Sequence, residues 1–158
     1  MKKCLLGAGS NPRERDWTPI VADAAATALR RAGFTVIRRP ADYAAHDTAR
    51  AAIFIHFDGS APPCKSGASV GFPAGTDRAF VDAWEARYRA LFPFRFVGEN
   101  FTSNEAHYYG FRKVDSPGKA MLIEFGEITC PAQEAWLAPR LRVLGTTLAD
   151  FVSAELRP

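Results

Sequence analysis

A histidine and a glutamate stand inside otherwise apolar runs: His56 in IFIHFDGS and Glu124 in AMLIEFGE. A carboxylate at the end of a buried strand is costly unless it is paired or bound to something. Glu124 is therefore either exposed just past a sheet edge, paired to an arginine, or held in a cleft with a raised pKa suited to proton transfer. Strand alternation puts Phe54, His56 and Asp58 on one face. An imidazole and a carboxylate at i and i+2 can share a metal or a hydrogen bond. The competing reading of His56 is a core histidine satisfied by a backbone carbonyl. Two polar residues at the ends of separate strands favour a joint site over either residue acting alone.

Other candidates carry weaker signals. GAGSNP contains a GxG, but Pro12 stands where a dinucleotide-binding turn needs its third glycine. His46 and His107 fall in polar or loop segments, where solvation accounts for them. PPCKSGAS brings Cys64 and Ser66 close together without the GxSxG elbow of a nucleophilic serine.

The elements that must position these residues alternate between strand and helix. Lys3 to Leu6 reads as a first strand with a glycine-containing exit. Thr18-Pro19 predicts a helix start, with Ile20, Val21, Ala24, Ala25, Ala28, Leu29 and Ala32 on one face and Gly33 as C-cap. Phe34 to Arg38, Ala51 to Asp58, a short Ala68 to Phe72 and Ala120 to Phe125 read as strands. Thr76 can cap a helix carrying Phe80, Val81, Trp84, Tyr88 and Leu91, which Pro93 stops. Residues 94–118 read as a long loop or irregular hairpin. Leu141, Leu144, Leu148, Phe151 and Val152 mark a closing helix. This order predicts one α/β domain: three layers, with a mostly parallel central sheet flanked by helices. Ligands of such sheets bind outside the carboxyl ends of the strands. That directs attention to residues 7–16, His56 to Ser60 and Glu124 to Thr129.

The chain has 158 residues, 47% hydrophobic and 23% charged, enough for one domain with its own core. Lys+Arg 20 against Asp+Glu 17 gives a net charge of +3. No dense basic run is interleaved with aromatics, which argues against nucleic acid as a partner. No apolar run approaches the ~18 residues of a membrane span. MKKCLLGAGS begins like a signal peptide, but its apolar stretch is short and NPRER follows at once. The reading is a chain made without a signal, cytoplasmic as synthesised. Cys4, Cys64 and Cys130 are odd in number and form no CxxC, so reduced thiols are expected. Nothing in the sequence specifies an oligomeric state.

Four stretches in order resemble the zinc-dependent N-acetylmuramoyl-L-alanine amidases of the type-3 family, which includes phage endolysins. They are KKCLLGAGS; Glu14 with the helix to Gly33 and FTVIRR; the arginine-led strand AAIFIHFDGSA with GASVGFP; and AMLIEFGEIT with the closing helix. The resemblance implies a cell-wall hydrolase that cleaves the amide between N-acetylmuramic acid and L-alanine in peptidoglycan or a muropeptide. It implies a zinc held by Glu14 and His56, with Glu124 as the catalytic acid or base. The family's first metal histidine should fall within GAGS, where this chain has Ala8 and Gly9. Asp58 could replace that ligand, or His107 could reach in from the long loop. An oxygen-rich site of this kind would favour a harder metal such as manganese or magnesium. On the same resemblance, Phe101, Asn104, Tyr108, Tyr109 and Arg112 would line a glycan or peptide groove. An amidase made without a signal would fit a lysis enzyme released to the wall through a membrane pore; the alternative is a metal-free, non-catalytic protein of the same fold that binds a peptide or glycan.

Overall fold

The computed structural model describes residues 3–7, 12–40 and 43–157. Its elements follow the alternation expected from the sequence. They are β1 Lys3–Gly7, α1 Pro12–Arg31, β2 Thr35–Arg38, β3 Asp47–Thr48, β4 Ala51–Asp58, β5 Ala68–Gly71 and α2 Arg78–Arg89. Then come β6 Phe96–Glu99, α3 Ser103–Ala106, a 3-10 turn Tyr109–Lys113, β7 Val114–Asp115, β8 Ala120–Glu127, α4 Pro131–Leu137 and α5 Leu141–Leu156. Six strands form one sheet in the order β2-β1-β4-β8-β5-β6. Its neighbours run parallel except β5 against β8, so the sheet is mostly parallel. β3 and β7 form a small second ladder.

The two faces of the sheet are covered differently. Ile53, Ile55 and Phe57 of β4 and Met121, Ile123 and Phe125 of β8 alternate onto one face. There they pack beneath Val21, Ala25 and Leu29 of α1, Trp84 and Tyr88 of α2, and Leu144, Leu148 and Phe151 of α5. Gly145 lets α5 approach α1 closely, since a Cβ there would lie 2.3 Å from the Val21 carbonyl oxygen. The opposite face presents Ala52 and Phe54 of β4 with Ala120 and Leu122 of β8. Tyr43, Val114, Tyr108 and Phe111 cover it, none of them from a long helix. The long helices thus lie on one side, and α3 with the 3-10 turn lies on the other.

Three expectations are corrected. α1 begins at Pro12, six residues before the expected Thr18, and carries Pro19 inside it. Proline's fixed φ suits a first helical position, and the first turn gains Glu14, which is favourable at the positive end of the helix dipole. The cap of α2 is Asp77, whose carboxylate accepts from the Ala79 N–H at 3.0 Å; Thr76 instead donates to the Ala120 carbonyl. Finally, Cys64 and Cys130 form a disulfide, with their Cα atoms 4.6 Å apart, in place of the expected reduced thiols. Their separation of 66 positions hid the pairing. They meet because β4 and β8 are adjacent and their exit loops leave the same sheet edge.

The region expected as a long loop or irregular hairpin, residues 94–118, holds β6, α3, the 3-10 turn and β7.

Candidate active site

Register builds the site. His56 on β4 pairs with Glu124 on β8, and Glu124 pairs with Ser69 on β5. Register partners share a face, so His56, Glu124 and Ser69 form a row across three strands, on the face opposite the helices. Glu14 reaches the row from the first turn of α1. His56 Nδ1 donates to Glu14 Oε1 at 2.8 Å, and the same oxygen accepts from the Phe57 N–H at 3.2 Å. Glu14 is buried, at 4% exposure. The bond at Nδ1 orients the ring and leaves Nε2, which is buried and has no hydrogen-bond partner among the described residues.

Glu124 is the second orphan of the row. Its Oε2 is buried without a hydrogen-bond partner among the described residues. Burial pushes its carboxyl well above the usual carboxylate range, and the neighbouring Asp58, Glu14 and Glu105 push it in the same direction. Both effects favour the protonated form. Glu105 closes the far end of the row. Its Oε1 accepts from Ser69 Oγ at 2.9 Å and its Oε2 from the Phe101 N–H at 2.7 Å. Burial raises the Glu105 carboxyl too, and these hydrogen bonds pull it part of the way back. Gly71 permits this docking, because a Cβ there would lie 2.6 Å from Glu105 Cβ. Tyr108 presents its ring edge-on to His56, with centroids 5.0 Å apart, and burial raises its phenol.

A bulge shapes the strand ends beside the row. His56 pairs with Glu124, but Asp58 pairs with Glu127, so β8 carries one extra residue. Gly126, at φ +145°, supplies it. The bulge turns Glu127 toward the loop after β4, where its carboxylate accepts from Ser60 Oγ, the Cys64 and Ser66 N–H groups and Thr129 Oγ1. Asp58 is engaged on both oxygens, by the Gly59 N–H at 2.7 Å and by Ser66 Oγ.

Glu14, His56 and Glu124 are thus brought together by three separate elements. Asp58 is turned toward the Ser66 loop, and the exposed His107 lines a neighbouring cleft. Ala8 and Gly9 lie outside the described residues. Glu105 and Glu127 escaped the sequence reading. Nothing around Glu105 separates it from other loop carboxylates, whereas Glu127, directly after a glycine at a strand end, carried a signal in hindsight.

The architecture has known counterparts. Over 99% of this chain and 98% of the other, it matches the catalytic domain of CwlV, an N-acetylmuramoyl-L-alanine amidase from Bacillus (Paenibacillus) polymyxa var. colistinus, at TM-score 0.76 and 16% identity. AmiC2 of Nostoc punctiforme, an N-acetylmuramoyl-L-alanine amidase, matches at TM-score 0.78 and 16% identity, with the same coverage. The amidase Ami1 from Mycobacterium smegmatis matches at TM-score 0.69 and 14% identity, over 97% of this chain and 95% of its own. The chain has the amidase fold. No protein-family model and no curated protein sequence matches it. Within the amidase fold, the row of His56, Glu124 and Ser69 sits on two parallel central strands and their antiparallel neighbour, roofed by residues 100–113.

Proposed function

We propose that this chain is a peptidoglycan amide hydrolase that cleaves the bond between N-acetylmuramic acid and L-alanine, with Glu14, His56 and Glu124 as its working groups. One observation carries the reading: a histidine braced at Nδ1, with Nε2 unpartnered among the described residues, stands beside a buried carboxyl on the next strand whose pKa burial raises. The amidase fold, shared with proteins named for this reaction, supports it.

A zinc of the kind the resemblance implies would meet Glu14 and His56. A catalytic zinc takes three protein ligands and a water. Among the described residues, no group of three His, Cys, Asp or Glu side chains is placed to hold a metal. Residues 8–11 are Ala, Gly, Ser and Asn, none of them an imidazole, thiolate or carboxylate. The donor set does not fit a three-ligand zinc, so the steps are assigned to the chain's own groups.

In this mechanism His56 Nε2 takes a proton from water as its oxygen attacks the amide carbonyl carbon. Glu14 steadies the imidazolium that forms. Glu124 gives its proton to the leaving nitrogen of L-alanine, and the C–N bond breaks to a carboxylic acid and an amine. His56 then returns its proton to the adjacent Glu124, restoring both groups. The Cys64–Cys130 disulfide supports work in an oxidising compartment, where peptidoglycan is met.

The incomplete donor set favours a second reading, a protein that binds the muropeptide without cutting it. Mass spectrometry of a muropeptide incubated with the protein, with chelator or with added zinc, separates the two. The hydrolase releases a peptide with a free L-alanine amine in the presence of chelator. Glu14→Gln and Glu124→Gln lower that release by about 100-fold or more. No release under either condition sinks the hydrolase and leaves the binding protein.

A further inference from the structure

Beside the acidic row lies a second cleft of about 720 Å³ whose chemistry is opposite. Its walls include the aromatic Phe72, Tyr108 and Phe111, and its charged lining is cationic, with no Asp or Glu. Arg78 stacks over Phe72 at 5.0 Å, and its charge is met by Glu99 and Asp82. Arg112, exposed on the 3-10 turn, has no ion pair or hydrogen bond with the described residues. Tyr108 is the shared wall: its ring abuts His56 on one side and lines this cleft on the other.

Resting on the hydrolase reading, we propose that this cleft is a subsite for the acidic peptide on the leaving side of the scissile amide, with Arg112 as the residue that binds its carboxylate. The segregation of charge decides the occupant. The carboxylates of Glu14, Asp58 and Glu105 around Glu124 make the row unfavourable for an anion. A carboxylate that passes Tyr108 leaves that field and meets a guanidinium fork free to take it in a bidentate pair. The aromatic walls suit the aliphatic parts of a peptide and lower the local dielectric, which strengthens the pair. A neutral sugar would gain nothing from Arg112.

The test uses calorimetry on the full chain with a free stem peptide beginning L-Ala-D-Glu, and with the same peptide carrying a carboxamide in place of the D-Glu carboxylate. Wild type binds the acid more tightly than the amide. Arg112→Ala weakens the acid by about tenfold and leaves the amide unchanged, and Arg112→Lys falls between. In muropeptide cleavage Arg112→Ala raises KM with little change in kcat. Equal binding of acid and amide by wild type, no effect of Arg112→Ala, or displacement of the peptide by a peptide-free glycan fragment would overturn the subsite. The peptide assay needs no turnover. Arg112-dependent binding without cleavage keeps the subsite and sinks the hydrolase, and cleavage indifferent to Arg112 does the reverse.

Discussion

Replacing Glu127 by glutamine tests how the edge of the site is held. Glu127 is fully buried. Its Oε1 accepts from Ser60 Oγ and the Cys64 N–H, each at 2.7 Å, and from Thr129 Oγ1 at 2.5 Å. Its Oε2 accepts from the Ser66 N–H at 2.8 Å. Glutamine keeps the shape but turns one oxygen into a donor. The less costly orientation puts the amide nitrogen at the Oε2 position, where it faces the Ser66 N–H donor to donor. An unsatisfied buried N–H costs about 1–3 kcal/mol, and weakening three charge-assisted bonds adds about 1 kcal/mol, so Glu127→Gln should lose about 3 kcal/mol. For a chain of this size that is a fall in Tm of about 6–12 °C. Burial alone would raise the Glu127 carboxyl, but hydrogen bonds from Thr129, Ser60 and the Ser66 and Cys64 amides outweigh it and hold the group below the usual carboxylate value. A depressed folded pKa gives stability that is complete above the unfolded value of about 4.3 and is lost as pH falls through the lower folded value. Urea denaturation at pH 7 should therefore show the full gap between wild type and variant, and the gap should narrow progressively below about pH 4.3. A gap under about 0.5 kcal/mol at pH 7, or one that widens on acidification, would refute the reasoning.

Two further substitutions probe the frame around the site. Cys64→Ser removes a cross-link between residues 66 apart in sequence and should cost about 4 kcal/mol by the chain-entropy account, read in denaturation without reductant; wild type treated with reductant should fall to match it. Gly145→Ala places a Cβ 2.3 Å from the Val21 carbonyl oxygen and 2.7 Å from Ala24 Cβ. It should cost about 2–3 kcal/mol by forcing α5 off α1, and an unchanged Tm would show slack in that helix pair.

Periodicity, with caps and prolines at the ends, specified the main elements of this chain, though not every boundary. The nearly unbroken apolar run of residues 51–58 reads as a strand buried on both faces, and the structure has a strand over the same residues. The polar intrusions His56 and Glu124 were legible for the same reason: a charge within an apolar run is expensive and therefore conspicuous. Glu14 was reached only through family resemblance, because one acidic residue in NPRERDW has no local distinction. What placed it against His56 was a helix that began six residues early and crossed to the end of β4, a contact between residues far apart in sequence.

Everything that depends on strand order was decided by the tertiary structure. Strand order puts β8 between β4 and β5, and only then do His56, Glu124 and Ser69 form a row and Cys64 meet Cys130. The burial of Glu105 and the four-donor cradle of Glu127 arise in the same way, from loops that fold back over a sheet edge. The physical reason is range. Hydrophobic spacing and turn residues act over a few positions and are written into the sequence. Pairing of strands, and the desolvation and neighbouring charges that raise the Glu124 carboxyl, come from groups up to 110 positions away, the separation of Glu14 and Glu124.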